Sequence, residues 1–255
     1  MSTDPAVEAL RQHHQRGEFL PPEWKGKLDL DRAYRVQLGL LDLKLAGGER
    51  QAGWKVGLTA GHMREMFGTT EPVFGHLLAS GSVASGTSFR AAELRNPMVE
   101  AELLIALAKD LPGPTATAED AKAAVATIAP ALELVELGRA DMRIDLPLAI
   151  ADNVAQRAFV HGAAVAMPAS FDFGSVRAKA SVNGQPKADA LGREVIDHQL
   201  QTLAWLANTL HRYGRRLQAG QCVMTGSFVK PVPVAAGNTL VAEFSGVGRV
   251  EVAFV

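Results

Sequence analysis

The sequence predicts an α+β fold with a mixed or antiparallel β core behind a helical preface. Apolar residues recur at intervals of three and four over the amino-terminal fifth, then give way to short apolar runs among glycines and β-branched residues. The strand-like and helix-like runs do not alternate regularly enough for a doubly wound sheet, and no Gly-x-Gly-x-x-Gly or Walker loop is present to hold nucleotide phosphates.

Helices are expected over Ala6 to Arg16 and Leu30 to Leu45, the second opened by Asp29 or Asp31 as an acceptor for free amides and closed by Gly47-Gly48. Strands are expected at Trp54 to Leu58, Val99 to Ala108, Ala131 to Val135, Ala158 to Ala166, Ser175 to Val182, Gln221 to Thr225, Thr239 to Phe244 and Val250 to Phe254. Asn183-Gly184 supplies two residues that tolerate positive φ, the signature of a hairpin turn. Three helices should interrupt these strands. A short one covers Ala60 to Phe67. A second runs to Ile128, opened by Thr117 with Asp120 in a capping-box arrangement, and a long amphipathic one spans Val195 to Tyr213 and ends at Gly214.

A chain of 255 residues buries a sizeable core without disulfides, and the lone Cys222 can form none internally. The reading is one catalytic-sized domain over 51–255 with a helical segment over 1–50. Its net charge of −1 gives no basic field for nucleic acid or an anionic membrane, so the expected partner is a small molecule. Met1 to Pro22 is too polar for a secretory signal, and no run of about 18 apolar residues could span a bilayer. These features point to a cytoplasmic location.

Glu100 and Glu102 lie two apart in Val99-Glu100-Ala101-Glu102-Leu103, so on a strand both carboxylates leave the same face. Two like charges beside apolar residues are relieved by protonation, water or a bound cation, and the same pair also suits the wet face of a half-exposed strand. A third carboxylate comes from Glu133 or from its competitor Glu136, which has the opposite facing; three hard oxygens suit Mg²⁺ or Mn²⁺. Lys55 sits among bulky apolar residues and glycines, where a lysine either snorkels, pairs, or moves a proton. His62 and Glu65, three apart, share a helix face, as an exposed pair or as an oriented base. Ser227 follows a strand at a turn whose hydroxyls and amides could bind a carboxylate, but no Gly-x-Ser-x-Gly elbow marks it as a nucleophile.

Six segments in order carry a resemblance: Gly53-Trp54-Lys55-Val56-Gly57-Leu58-Thr59, Glu71-Pro72-Val73-Phe74-Gly75, Val99-Glu100-Ala101-Glu102, Ala131-Leu132-Glu133-Leu134-Val135, Ala151-Asp152-Asn153, and Thr225-Gly226-Ser227-Phe228 with Pro231-Val232-Pro233. Together they resemble the 2-keto-4-pentenoate hydratase family of the fumarylacetoacetate hydrolase superfamily. The resemblance implies a mixed β-sandwich roll with peripheral helices, Mg²⁺ (or Mn²⁺) held by Glu100, Glu102 and Glu133, Lys55 as proton handler, and substrate contacts from Asp152, Asn153, Thr225 and Ser227. It further implies a homo-oligomer that adds water to a 2-hydroxy-2,4-dienoate or related 2-oxo acid from aromatic catabolism. The chain departs from the family pattern at Val73, where hydratases carry aspartate, and over Val154-Ala155-Gln156-Arg157, where they carry small polar residues. Gly61-His62-Met63-Arg64-Glu65-Met66 is similar to the lid of acylpyruvate hydrolases, in which His-x-x-Glu activates water. Decarboxylation of a 4-oxalocrotonate or oxaloacetate type, carbon-carbon hydrolysis through His62 and Glu65, and ligand binding without catalysis are the rival expectations.

Overall fold

Apolar residues on two kinds of period, strand and helix, build the molecule, described in a computed structural model over residues 4–136 and 144–255. In chain order the elements are α1 (Pro5–Gln15), α2 (Leu30–Ala46), β1 (Gln51–Gly57), α3 (Gly61–Phe67), β2 (Val73–Leu78), β3 (Ser82–Ala84), β4 (Ser88–Phe89), β5 (Pro97–Leu107), α4 (Ala118–Ala124) and β6 (Val125–Glu136). They continue as α5 (Leu146–Ala151), β7 (Gln156–His161), β8 (Val165–Ala166), β9 (Arg177–Val182), β10 (Gln185–Leu191), α6 (Gly192–Val195), α7 (Gln199–Arg212), β11 (Cys222–Ser227), β12 (Val232–Pro233), β13 (Thr239–Phe244) and β14 (Gly248–Phe254).

The strands form two sheets. The larger runs β2-β1-β11-β5-β6-β7-β3, with β12 added to β5 and β8 to β6; the smaller runs β10-β9-β13-β14-β4. Both are mixed, since β1 pairs with β11, β3 with β7 and β4 with β14 in parallel while the other pairings are antiparallel. The expected mixed β architecture with peripheral helices is what the chain adopts. Strands β13 and β14 pack against β6, and their buried Leu240, Val250 and Val252 share one core with Val99, Leu103, Ile128 and Leu132 of the larger sheet. Helices α1 and α2 join that core through Leu10, Leu38 and Leu41, next to Trp54 and Phe74.

Local signals explain most boundaries. Asp29 caps α2 through Arg32 N, and Thr117 with Asp120 forms the capping box of α4. Asn183 (φ 50°) and Gly184 (φ 76°) make the β9–β10 turn. Other expectations need correction. Helix α4 ends at Ala124, because the β-branched Val125, Thr127 and Ile128 enter β6 instead. Helix α7 begins at Gln199, where the His198 ring accepts the Gln201 amide and acts as its cap. The expected strand from Ala158 to Ala166 is two strands separated at Gly162, whose Cβ would stand 2.6 Å from the Arg249 carbonyl oxygen. Strands β2, β3, β4 and β12 and helix α5 lie outside the runs that the sequence predicts.

Candidate active site

Strands β5 and β6 pair in regular antiparallel register, with Glu100 directly opposite Glu133. Alternation puts Glu102 on the same face as Glu100, so three carboxylates converge, each offering an oxygen within 4.8 Å of the others. Glu133 and Glu102 are buried. Glu136, three positions beyond Glu133, turns elsewhere and accepts the Arg95 amide at 2.6 Å. Strand β11 completes the carboxylate edge. Its ladder with β5 is irregular between Met224 and Ser227, which swings the Gly226 amide onto Glu102 Oε2 at 2.9 Å. Gly226 has φ 104°, and a Cβ there would stand 2.2 Å from Thr59 Oγ1, so only glycine fits.

Lys55 enters this cluster from β1. Its Nζ lies 2.6 Å from Glu133 Oε1 and donates to the Val154 carbonyl at 3.2 Å. That carbonyl belongs to an unusual turn: Asn153, Val154 and Ala155 have φ of 56°, 53° and 59° in succession. Left-handed backbone costs non-glycine residues about 1–3 kcal/mol each, most of all a β-branched one such as Val154, so the surroundings must hold it. They do so on both sides. The Asn153 amide spans the His76 backbone, accepting its N–H at 2.7 Å and donating to its carbonyl at 3.0 Å. Asp152 accepts from the Leu20 amide and contacts the His14 ring, tying the turn to the amino-terminal segment. Gly75 lets the turn approach, since a Cβ there would meet Asn153 Oδ1 at 2.9 Å and Lys55 Cγ at 3.2 Å.

The charges are tightly coupled. Burial, then repulsion from Glu133, pushes the Glu100 carboxyl up to about 7. Glu102 is raised well above the usual carboxylate range by burial together with Glu133 and Glu100. Burial also raises Glu133, against the pull of Lys55. Burial works against the Lys55 charge, yet the carboxylates, Glu133 foremost, hold its pKa above the ordinary lysine value. With all three carboxylates ionised, the form in which they would ligate a cation, the one ammonium would leave two negative charges uncompensated in a buried site. Neither Glu133 oxygen has a well-directed hydrogen bond despite the Lys55 contact. Hard oxygen donors, two excess negative charges and orphaned lone pairs together fit a divalent cation.

A cavity of about 220 Å³ opens onto the cluster, walled by Leu58, Ala60, Met63, Val195, Phe228 and Pro231. His62 and Ser227 also line it. Helix α3, which carries His62, is held by Arg64, whose guanidinium donates to the Leu58 and Thr59 carbonyls and pairs with Asp197 at 2.7 Å. Glu65 is exposed on that helix, does not line the cavity and forms no hydrogen bond with His62. Ser227 Oγ donates to the Val229 carbonyl at 2.7 Å. Thr225 is fully buried, and Asp152 and Asn153 are occupied in the turn, so these three stand behind the cavity wall and not on it. Asn153 instead holds the turn whose Val154 carbonyl accepts from Lys55, a placement that the sequence does not show.

The two departures from the hydratase pattern meet in space. A Cβ placed on Gly57, which lines the cavity, would contact Val73 Cγ2 at 3.3 Å and Val154 Cγ1 at 3.8 Å. Both side chains thus approach the same glycine, and neither residue lines the cavity itself.

Comparison with known proteins agrees with this geometry. Residues 58–255 match the family described as Fumarylacetoacetate (FAA) hydrolase C-terminal. The chain is 36% identical over 230 residues to a 2-hydroxyhexa-2,4-dienoate hydratase of Comamonas testosteroni, covering 89% of this chain and 87% of that one. It is 30% identical over 251 residues to a 2-keto-4-pentenoate hydratase of Paraburkholderia xenovorans strain LB400, covering 98% and 93%. Among solved structures, the 4-oxalocrotonate decarboxylase of Pseudomonas putida G7, complexed with magnesium and adipate, matches with a TM-score of 0.91 at 26% identity, over 98% of this chain and 96% of that one.

Proposed function

The chain belongs to the fumarylacetoacetate hydrolase family, and from that premise we propose that it is a metal-dependent hydratase of 2-hydroxy-2,4-dienoates, with 2-hydroxypenta-2,4-dienoate as the simplest substrate. The observation that carries this reading is the convergence of Glu100, Glu102 and Glu133 beside Lys55 at the floor of an apolar cavity. Glu100, Glu102 and Glu133 would hold Mg²⁺ or Mn²⁺, which would supply the Lewis acidity that lowers the cost of enolate charge.

The chain's own groups do the rest. Lys55, kept charged by its carboxylate neighbours and aimed by the Val154 carbonyl, donates a proton to C5 of the dienol and recovers the one that the C2 hydroxyl releases, so C2 becomes a ketone and the remaining double bond lies between C3 and C4. Water adds at C4 and the proton it gives up is delivered to C3, giving 4-hydroxy-2-oxopentanoate. Leu58, Met63, Val195 and Phe228 exclude bulk water and pack the substrate's hydrocarbon end. His62 at the cavity wall is placed to accept the proton of the attacking water. The same reading places the protein in the cytoplasm as a homo-oligomer.

A second reading rests on Val73 and Val154. Neither valine supplies a polar side chain near Gly57 to guide water, a lack that decarboxylation of a 4-oxalocrotonate-like substrate tolerates, because that reaction needs only the stabilised enolate and a proton. Incubating the protein and Mg²⁺ with 2-hydroxypenta-2,4-dienoate or 4-oxalocrotonate, with EDTA controls and products identified by NMR, separates the two. Metal-dependent 4-hydroxy-2-oxopentanoate supports the hydratase. Loss of CO₂ from 4-oxalocrotonate without hydration of the dienoate overturns it.

A further inference from the structure

One wall of the carboxylate cavity is the connection between β11 and β12. Ser227 lies opposite Glu102 and Val232 opposite Val99, so five steps of this chain cover three of β5. The surplus must leave the sheet, as at a bulge. Its start is fixed: the Phe228 amide donates to the Ala101 carbonyl at 2.8 Å, and Ser227 Oγ donates to the Val229 carbonyl at 2.7 Å. Its end is fixed as well, because Pro231 locks its own φ and favours extended backbone at Lys230.

Lys230 stands between these anchors, lines the cavity and is exposed. Among the described residues its ammonium forms no ion pair and no hydrogen bond. Lys55, by contrast, is buried against Glu133. The floor carboxylates feel one another and Lys55, so Lys230 is not drawn into balancing them. The cavity therefore has two charged ends, a buried cluster at its floor and a free ammonium at its outer rim, with Leu58, Met63, Val195 and Phe228 as apolar wall. A substrate with one carboxylate, held at the floor, gives Lys230 nothing to pair with. A second carboxylate at the far end does.

We propose that Lys230 is a specificity residue for a distal carboxylate, so that the preferred substrates are 2-hydroxydienedioates, an inference that rests on this cavity being the substrate site. Because the ammonium is exposed, water and salt screen the pair, and its effect is a several-fold preference and not an absolute requirement.

The test is isothermal titration of the Mg²⁺-loaded protein with 2-oxo acids that differ only at the far end: 2-oxoadipate against 2-oxohexanoate, and 2-oxopimelate against 2-oxoheptanoate. In at least one pair the diacid should bind about three- to tenfold tighter at low salt, and the preference should shrink in about 0.5 M salt. Lys230→Arg should keep the preference, Lys230→Met should abolish it while leaving the monoacid affinities unchanged, and Lys230→Glu should invert it. Equal affinities within both pairs for the wild type, or a preference that survives in Lys230→Glu, would overturn the assignment. Hydration is scored separately. Lys230→Met with Mg²⁺ should turn over 2-hydroxypenta-2,4-dienoate at the wild-type rate, and loss of that turnover would place Lys230 in the catalytic machinery instead. A diacid preference in a protein that hydrates no dienoate would overturn the hydratase reading and leave the role of Lys230 intact; hydration without the preference would do the reverse.

Discussion

The three carboxylates and the lysine they surround are positioned by opposite kinds of backbone. Glu100, Glu102 and Glu133 sit on a regular ladder, where alternation and direct cross-strand pairing bring them together. Lys55 is aimed by Val154, the middle of three consecutive left-handed residues kept in place by Asn153, Asp152 and the absence of a side chain at Gly75. The ladder would form in many sequences; the turn exists only while its clamps do. A ligand set can therefore rest on ordinary sheet physics, whereas the aim of a proton-transfer group is maintained against a backbone preference.

The largest loss is expected at Lys55. Lys55→Met should lower kcat by about 10²- to 10⁴-fold, the usual worth of a positioned acid or base. Mn²⁺ affinity should not fall, because the variant removes a competing cation from Glu133. Weakened metal binding in that variant would place Lys55 among the structural supports of the ligand set. The next effect belongs to the turn: Asn153→Ala removes both bonds to the His76 backbone and should lower kcat about tenfold with little change in KM or Mn²⁺ affinity. A rise in KM alone would show that Asn153 contacts substrate directly.

A smaller, pH-linked effect probes the ladder. Glu100 has its folded pKa raised from the ordinary glutamate value to about 7, so the neutral carboxyl is the form that the metal-free fold favours. Its contribution to stability is fully present below the unfolded pKa of about 4.5 and is lost as pH rises through about 7. The metal-free protein should therefore lose more melting temperature between pH 5.5 and pH 8 than Glu100→Gln does, and Mg²⁺ should restore the wild type most at the higher pH. Identical pH profiles for the two proteins would contradict the shift. The smallest effect is expected at Glu65: it is exposed and away from the cavity, so Glu65→Ala should leave turnover within about twofold. A large loss would instead assign water activation to the His62–Glu65 pair.

The same contrast explains what the sequence revealed. Period-two spacing is enough to put Glu100 and Glu102 on one face, and resemblance to the hydratases singles out Glu133 over Glu136; both follow from regular strands. The Asn183-Gly184 turn and the Thr117–Asp120 capping box are legible because each is a short-range device with few alternatives. Strand β2 is hidden by Pro72 before it and by Gly75 and His76 within it, residues chosen for the approach of the turn and not for strand propensity. Asn153, expected to touch substrate, acts instead on backbone 77 positions away, a contact that no local pattern encodes. Val73 and Val154 read as separate departures until the fold sets them against the same glycine.

If Glu100, Glu102 and Glu133 form one divalent-metal site, removing a single carboxylate should cripple ion binding. Titrating Mn²⁺ into the wild-type protein and Glu102→Gln, followed by electron paramagnetic resonance of free Mn²⁺, tests it most directly. One ion bound per chain, with affinity reduced by about 100-fold or more in the variant, is the predicted result; equal affinity and stoichiometry in the two proteins would contradict the assignment.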